Sequence, residues 1–478
     1  MPARRGPAER GEPSAATALA ATLGIYLAAS AVFLPPRDGE FGWQRFLADT
    51  ILRTHALPRA LGDESLTAAG APWIPQEWAF ALLVRAATAS DTGYILLAAL
   101  VASAAAGSLL IAASTARRLG AGGGAVAVLV AAAGLDLLSA FSLRAQMLVW
   151  PLVALLVRWI VLPGRAWRLV PLALVWANLH GSAVLVPVLS AVAAGGAACD
   201  AGRIDAEARR LALVALASAA AICVTPLGTG LWSLALGLET SALHPYISEW
   251  LVPAIDHPAV AAFVAVTIAA AIVGVPAGLR VALPAAAFAL LAFSASRDIS
   301  LGGIAFVTYL APRLPRLGLR TARSLEPASL PAPGGPGVAA RWALAAGVVA
   351  ASFALPFAGV HPARWWAVSP PIAAVEALPG RHALFCSDFA RCGDALADPR
   401  VRVFTDGRAD AYPLAVWTDA QRAIDLAPGW QEMLNSRGVD TIEVARGEPL
   451  DRGLALTAGW RRTWHDRKSA VWIREDGG

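Results

Sequence analysis

Long apolar runs recur along this chain, each about 15–23 residues long and bounded by a short turn that carries arginine. About 20 apolar residues in a helix cross the ~30 Å hydrocarbon core of a bilayer. Hydrophobic residues make up 57% of the chain and charged residues 15%, which leaves too few polar side chains for a soluble surface over so many runs. The pattern predicts a polytopic membrane protein, and it excludes a soluble enzyme, a disordered chain and a coiled coil.

The arginines predict how the chain is threaded. Most of them lie at the ends of apolar runs, as the positive-inside rule requires, and only Lys468 among the 39 basic residues is a lysine. The net charge of +5 therefore reflects topology, and we expect no nucleic-acid partner. Residues 1–14 are predicted to be cytoplasmic, followed by a retained first span at residues 15–34 and a long outer loop at residues 35–76.

A polar C-terminal part follows the last apolar run. The arginine-rich and Pro/Gly-rich segment 313–337 is predicted to face the cytoplasm, so that a final span at residues 342–357 delivers the rest of the chain to the outside. We expect a transmembrane domain over residues 15–358, with about ten crossings of the bilayer. Residues 359–478 are then an extracytoplasmic domain, and the protein belongs in a bacterial inner membrane.

Short strand-like runs alternate with helical segments in this last domain. The strands are predicted at residues 383–386, 401–404, 441–445 and 470–473, and the helices at residues 417–424 and 430–436. The predicted fold class is mainly α, a polytopic transmembrane helical bundle with a small C-terminal extracytoplasmic α/β domain.

The apolar stretch at residues 169–199 is interrupted by the polar residues Asn178 and His180. We expect two short helices that meet at a break, because irregular backbone at membrane depth usually lines a cavity. Polar residues at such a depth are often functional, although His180 could simply hydrogen-bond the loosened backbone. Asp136, inside another apolar run, must be protonated, paired or in contact with water.

The four cysteines fall into two groups. Cys199 and Cys223 lie in or beside apolar runs and are expected to be small core residues. Cys386 and Cys392 lie in the polar C-terminal part, where a disulfide forms only if that part faces an oxidising compartment. The sequence leaves this open.

Carboxylates stand at both ends of the predicted first outer loop. Asp38 and Glu40 follow the first span directly, and Glu77 precedes the next apolar segment. At a membrane boundary such groups act as a general base or hold a cation, or else they only solvate a loop rich in Pro and Gly. Their spacing does not decide between these interpretations.

Arginines mark two further predicted outer ends. Arg144 and Gln146 lie in a short turn between two spans, where a guanidinium binds a phosphate or merely snorkels to the interface. Arg297 stands beside Asp298, with which it forms either a self-contained ion pair or part of a site.

Two other polar pairs are candidates. Glu249 precedes Trp250, an aromatic that could anchor the membrane interface. Asp406 and Arg408 follow a predicted strand, and strand-end loops often carry sites, although an Asp-Gly turn is also ordinary turn chemistry.

Several motifs of other protein classes are missing. The chain has no GxxxxGK[ST] phosphate loop, no GxGxxG after a strand, no HExxH and no paired CxxC. Their absence argues against an ATP-driven pump, a dinucleotide enzyme and a zinc protease.

Together these features resemble the bacterial integral-membrane GT-C glycosyltransferases, in particular a branch of undefined substrate with a long first outer loop and a C-terminal α/β domain. The matching stretches are DGEFGWQ at 38–44, HALPR at 55–59, WIPQEW at 73–78, RAQ at 144–146, WANLHG at 176–181, EW at 249–250, RD at 297–298 and DGRAD at 406–410. Two positions depart from the pattern, because Gln44 and Gln76 stand where the branch commonly has histidine. Either change could remove a proton carrier or a metal ligand.

The resemblance implies transfer of a sugar from a polyprenyl-phosphate carrier to an envelope glycan or protein on the outer face. It implies that Asp38, with Glu40 beside it, takes the acceptor's proton, while Arg144, Arg297 or Arg408 stabilises the leaving phosphate. The remaining predicted substrate-binding residues are Glu77, Gln146, Asn178, His180, Glu249 and Asp406. No metal ligands are predicted and no cofactor is certain, although a divalent cation stays open. Membrane lipid borders the groove for the polyprenyl chain, next to the helix break.

Two other functions compete with this one. A transporter or flippase of a lipid-linked substrate would also use broken helices and intramembrane polar residues, although the chain shows no inverted repeat. A catalytically silent envelope scaffold would explain the two missing histidines.

Overall fold

The computed structural model describes residues 15–33, 40–239, 242–272, 278–314 and 369–475. Within those ranges the chain is mostly helical and ends in a small five-stranded sheet, which confirms the predicted fold class. The helices before the C-terminal part are α1 (Ala15–Phe33), α2 (Phe41–Thr54), α3 (Trp78–Ala87), α4 (Asp91–Arg118), α5 (Gly123–Ala140), α6 (Ala145–Val161), α7 (Leu169–Leu179), α8 (Leu185–Ala201), α9 (Ala206–Cys223), α10 (Gly230–Glu239), α11 (Pro258–Ile272), α12 (Leu279–Ser294) and α13 (Ile299–Leu310).

Four helical stretches among the described residues are long and apolar enough to cross a membrane: Ala15–Val32, Asp91–Arg118, Gly123–Ala140 and Gly181–Ala201. Each lies on a predicted span, so the chain is a membrane protein by the length and composition of its helices. Other apolar helices, such as α6 and α12, are shorter, and the predicted number of crossings stays a prediction. The predicted last span at residues 342–357 lies outside the described residues.

The break predicted near residue 180 is confirmed. Helix α7 ends at Leu179, His180 has extended backbone, and a short 3-10 turn at Gly181–Val184 leads into α8. The break frees backbone groups, and Gln76 of the first outer loop accepts the Gly181 N–H at 3.0 Å. A Cβ at residue 181 would overlap the Gln76 side chain, so glycine allows this approach.

Helix α13 is the centre of the bundle, and all of its residues are buried. Its small residues Gly302 and Gly303 let neighbours approach closely, with Phe263 against the first and Asp136 against the second. Asp136 is only 3% exposed, and its Oδ1 has no hydrogen-bond partner among the described residues. It therefore lies in the bundle core.

The C-terminal sheet has the strand order β2-β1-β3-β5-β4. Strand β1 (His382–Cys386) pairs in parallel with β2 (Val401–Val403) and β3 (Thr441–Ala445). Strand β5 (Ser469–Arg474) is antiparallel to β3 and to the edge strand β4 (Trp460–His465). The four predicted strands are confirmed, while β4 was not predicted. The helices of this C-terminal domain, which we call the outer domain after its predicted location, are α14 (Pro370–Glu376), α15 (Phe389–Ala395), α16 (Leu414–Ile424), α17 (Trp430–Ser436) and α18 (Pro449–Leu456).

The first outer loop docks on the free edge of this sheet. The Leu66 N–H donates to the Val403 carbonyl at 2.8 Å, and the Val403 N–H donates to the Glu64 carbonyl at 2.8 Å. Side chains of α2 and of the loop, including Trp43 and Trp73, belong to the same apolar core as the outer domain. The loop thereby ties the outer domain to the membrane helices.

A disulfide joins Cys386 at the end of β1 to Cys392 in α15. The sequence left open whether these two cysteines are bonded, and in the structure they are. A disulfide is typical of a domain in an oxidising environment. Cys199 is exposed and Cys223 is partly exposed, so neither is the core residue that was expected. Both lie on helices whose outer faces are apolar.

Gly42 lies where α2 meets α15. A Cβ at residue 42 would collide with the backbone of Gly393 and Asp394, which cannot swing aside as a long side chain does. We therefore expect Gly42→Ala to destabilise the docking of α2 by about 1–3 kcal/mol. Gly107→Ala, at a helical glycine with open space around it, is the matched control and should cost nothing. Thermal unfolding in nanodiscs measures both, and equal midpoints would contradict this contact.

Candidate functional site

A cavity of about 220 Å³ lies between the ends of the membrane helices and the outer domain. A single water needs about 10–15 Å³ on this measure, so the cavity accepts a larger polar group. Its polar lining comes from α2 and the first outer loop, from the helix break, from the segments at residues 249–250 and 297–298, and from the outer domain. The charged or amide residues that line it are Glu40, Gln76, Glu77, Arg144, Gln146, His180, Glu249, Arg297, Asp298, Arg408 and Asp410.

Glu77 has a neighbour at each of its carboxylate oxygens. Gln44 of α2 donates from Nε2 to Oε2 at 3.0 Å, and Nε2 of His180 lies 3.5 Å from Oε1. The side chain of Glu77 is 12% exposed, and burial raises its pKa to about 7 against the opposing effect of Arg144. Asp410 and Glu249 add to the increase through their negative charges.

The hydrogen bonds of His180 assign its tautomer. Its Nδ1 accepts the backbone N–H of Ser182 at 3.1 Å, so the proton of the neutral ring is on Nε2. Trp176 donates from its indole nitrogen to Ser182 Oγ at 3.0 Å, which leaves the hydroxyl proton free to point at Nδ1. His180 therefore presents an N–H to Glu77.

Arg144 lies between two carboxylates at the start of α6. Its Nη1 donates to Glu249 Oε2 at 2.5 Å, and its Nη2 lies 3.5 Å from Glu40 Oε1. This arrangement is not that of an arginine that snorkels to the interface, since the side chain is only 26% exposed and faces acids of the cavity.

Arg297 offers a guanidinium to the cavity. It lies over the Trp250 ring, 5.1 Å from the ring centre, and forms no ion pair with the adjacent Asp298 or with any other carboxylate of the described residues. Its backbone carbonyl accepts from Gln146 Nε2 at 3.3 Å, which holds the segment against α6. The aromatic platform leaves the N–H edges of Arg297 available for an anion.

Arg408 is held by carboxylates of two elements. Its Nε and Nη2 donate to the two oxygens of Asp406 at 2.9 and 2.6 Å, and its Nη1 donates to Glu64 at 3.0 Å. The side chain is 1% exposed and packs over Phe46 and Trp73. It therefore joins the first outer loop and α2 to the outer domain, and its predicted role at the leaving phosphate stays a prediction.

Asp406 is equally committed, since it also accepts from the Tyr412 hydroxyl at 2.8 Å and does not line the cavity. The neighbouring Asp410, which was not among the predicted site residues, does line it. Burial raises the pKa of Asp410 to about 6. Asp410 belongs to the same DGRAD stretch, but only the fold shows which of its acids turns inward.

Asn178 lies away from the cavity, because its amide donates to the Leu174 carbonyl on its own helix at 2.8 Å. Asp38 lies outside the described residues. The two glutamines at the expected histidine positions have structural partners, Glu77 for Gln44 and the Gly181 N–H for Gln76. Each glutamine therefore takes part in the hydrogen bonding around the cavity.

The described residues contain no group of three or more His, Cys, Asp or Glu side chains placed to hold a metal ion. The carboxylates of the cavity are divided between different partners. We therefore derive no step through a metal ion.

No family model matches the chain, and neither does any curated protein that was compared with it. Among solved structures, the archaeal oligosaccharyltransferase AglB from Archaeoglobus fulgidus, in complex with an inhibitory peptide and a dolichol-phosphate, aligns over 90% of this chain and 69% of that chain, with 11% identity and a TM-score of 0.46. Similarity at this level supports no statement about function.

Proposed function

We propose that this protein transfers a sugar from a polyprenyl-phosphate donor to an envelope glycan or protein acceptor at the outer face of the membrane. The observation that carries the proposal is the juxtaposition, in one cavity at the ends of the membrane helices, of several carboxylates and the guanidinium of Arg297, which has no ion-pair partner among the described residues. Group transfer from a phosphate needs both a cation at the leaving oxygen and an acceptor for a proton.

Arg297 suits the phosphate. Its planar fork binds two phosphate oxygens at once, and its position on Trp250 fixes the direction of its N–H groups. Arg144 is less suited, because Glu40 and Glu249 already contact its terminal nitrogens. The polyprenyl chain would extend from the cavity along the membrane helices, with the break at His180 beside it.

The reaction balances with these groups alone. The acceptor hydroxyl or amide forms a new bond to the anomeric carbon of the sugar, and the bond from that carbon to the phosphate oxygen breaks. The electron pair stays on the phosphate, whose added negative charge Arg297 stabilises, and the acceptor's proton passes to a carboxylate of the cavity. The sequence favours Asp38, with Glu40 beside it, for that last role, and this assignment stays a prediction.

Mass spectrometry of lipid-linked sugars and envelope glycans tests the proposal in cells that lack the protein. Loss of one sugar from a glycan, together with accumulation of the matching polyprenyl-phosphate sugar, is expected. Wild type should restore both, while Arg297→Ala should not, and Arg452→Ala on the outer face of α18 should restore them fully. Unchanged glycans in the deletion would favour a scaffold, and accumulation of the lipid on the cytoplasmic side would favour a flippase.

A further inference from the structure

We propose that Glu77 is the carboxylate that accepts the acceptor's proton, and that Gln44 and His180 are positioning residues that hold it in place. This inference rests on the proposed function, and it replaces Asp38 and Glu40 in the role that the sequence favoured. Its basis is how each carboxylate of the cavity is held.

Carboxylates that contact a guanidinium are poor bases, because the positive charge stabilises their ionised form. Glu249 accepts from Arg144 at 2.5 Å, and Glu40 lies 3.5 Å from the same side chain. Among the described residues Glu77 contacts no arginine within 4.0 Å, and its neighbours, the Gln44 amide and the His180 ring, are both neutral. It therefore keeps its affinity for a proton.

Neighbouring groups also orient the carboxylate of Glu77. It precedes α3, and its two oxygens face two separate elements: Oε2 accepts from Gln44 of α2, and Oε1 lies 3.5 Å from the His180 ring at the helix break. The His180 ring is itself oriented by the Ser182 N–H, and the adjacent Gln76 is bonded to the Gly181 N–H. A base that is oriented by fixed neutral neighbours is pre-organised for proton transfer.

The groups that face Glu77 set its pKa. Three of them are charged, namely Arg144 at the start of α6, Glu249 in the outer segment and Asp410 in the outer domain, and the neutral His180 is the fourth. Burial, Asp410 and Glu249 together outweigh Arg144 and Gln44, so the pKa rises to about 7. A general base works best when its pKa is close to the working pH.

In the proposed step the acceptor's O–H or N–H proton moves to a Glu77 oxygen as the acceptor bonds to the anomeric carbon. The leaving phosphate keeps the electron pair of the broken bond. Glu77 later releases the proton to water through the outer opening of the cavity, and it is regenerated without an oxidant, a reductant or a further co-reactant.

Two measurements on the full-length protein in nanodiscs test the inference. The first is an infrared titration between pH 5 and 9 without substrate, in which the difference spectrum between wild type and Glu77→Gln should contain a carboxyl band that titrates near neutrality and belongs to Glu77. The second is transfer from synthetic short-chain polyprenyl-phosphate hexoses and pentoses to acceptor glycans from cells that lack the protein. Here Glu77→Gln should lower the rate about 10²–10⁴-fold without weakening binding of polyprenyl phosphate.

The positioning residues are tested by the pH profile. Gln44→Met removes a donor that lowers the pKa of Glu77, so the pKa should rise, and the rising limb of the rate against pH should move to higher pH. A residue that only stabilised the fold would lower the rate equally at every pH. Glu432→Gln, at an exposed glutamate of α17, is the control and should leave both the band and the profile unchanged.

Each outcome decides the inference. Loss of the band and of transfer in Glu77→Gln supports it. Full transfer by Glu77→Gln, with loss in Asp38→Asn, Glu40→Gln or Asp410→Asn, overturns the assignment of Glu77 but keeps the proposed function. If wild type binds polyprenyl phosphate but transfers no sugar from any donor, the inference and the proposed function fail together.

Discussion

Arg408→Met is expected to lower the free energy of unfolding of the outer domain by about 3–5 kcal/mol, because removing one partner of a buried ion pair leaves the other charge without compensation. The carboxylate of Asp406 is fully buried, and it would keep only neutral donors, the Tyr412 hydroxyl and the backbone N–H of residue 408. The aromatic contacts of Arg408 with Phe46 and Trp73 would be lost as well. Urea unfolding of the nanodisc-embedded protein, followed by tryptophan fluorescence, measures the loss.

A double variant distinguishes an unpaired charge from lost packing. Arg408→Met combined with Asp406→Leu removes both charges, and apolar replacement of a buried pair often recovers stability. We therefore expect the double variant to be more stable than Arg408→Met alone. The exposed Arg452→Met serves as the control, and a single variant as stable as that control would contradict the structural role of Arg408.

Arg297→Ala is expected to weaken binding of polyprenyl phosphate about 10- to 100-fold, because each charge-assisted hydrogen bond to an oxyanion contributes about 1.5–3 kcal/mol. The rate of transfer should fall further, by about 10²–10³-fold, because negative charge grows on the leaving phosphate in the transition state. Arg297 has no carboxylate partner among the described residues, whereas Arg408 is bonded to Asp406 and Glu64. Binding is measured by isothermal calorimetry with a short-chain polyprenyl phosphate.

Arg297→Lys and Trp250→Leu refine this prediction. Lysine keeps the charge but loses the fork, so its affinity should lie between those of wild type and Arg297→Ala. Trp250→Leu removes the aromatic platform and should weaken the binding free energy of polyprenyl phosphate by about 0.5–2 kcal/mol. Wild-type affinity in Arg297→Ala would show that the phosphate binds elsewhere.

Periodic apolar patterns made most of the fold predictable. Residues 15–34 read as a span, and α1 lies there, because a run of apolar residues has one stable arrangement in lipid. The break at His180 was predictable for the same reason, since polar residues interrupt an apolar run. In the outer domain, strand β3 was predicted with its observed bounds.

Elements with mixed polarity were harder to predict. Strand β4 carries two exposed arginines in the WRRTWH stretch, so it does not read as a buried strand. Helix α2 lies in what was predicted as a loop, although Trp43, Leu47 and Ile51 recur at a four-residue spacing that indicates an amphipathic helix. That spacing was the available signal.

The candidate site was predictable as a set of residue types but not as a set of roles. Arg297 and Arg408 look equivalent in the sequence, and only the structure shows their different partners. Arg297 lies over the Trp250 ring, whereas Arg408 is bonded to Asp406. The sequence favoured Asp38 over Glu77 as the base because it does not reveal the hydrogen bond from Gln44 to Glu77. That bond joins residues 33 positions apart. Such a contact depends on tertiary packing, which no local pattern reports.

The most direct test of the proposed function is turnover by the purified protein in nanodiscs. The lipid-linked sugars that accumulate in cells without the protein would be extracted, radiolabelled in the sugar and supplied together with acceptor glycans from the same cells and Mg²⁺. We predict that wild type releases polyprenyl phosphate and labels the acceptor in equal amounts, while Arg297→Ala does neither at a comparable rate. Binding of the lipid by wild type without any transfer of label would contradict the proposal that this cavity carries out glycosyl transfer.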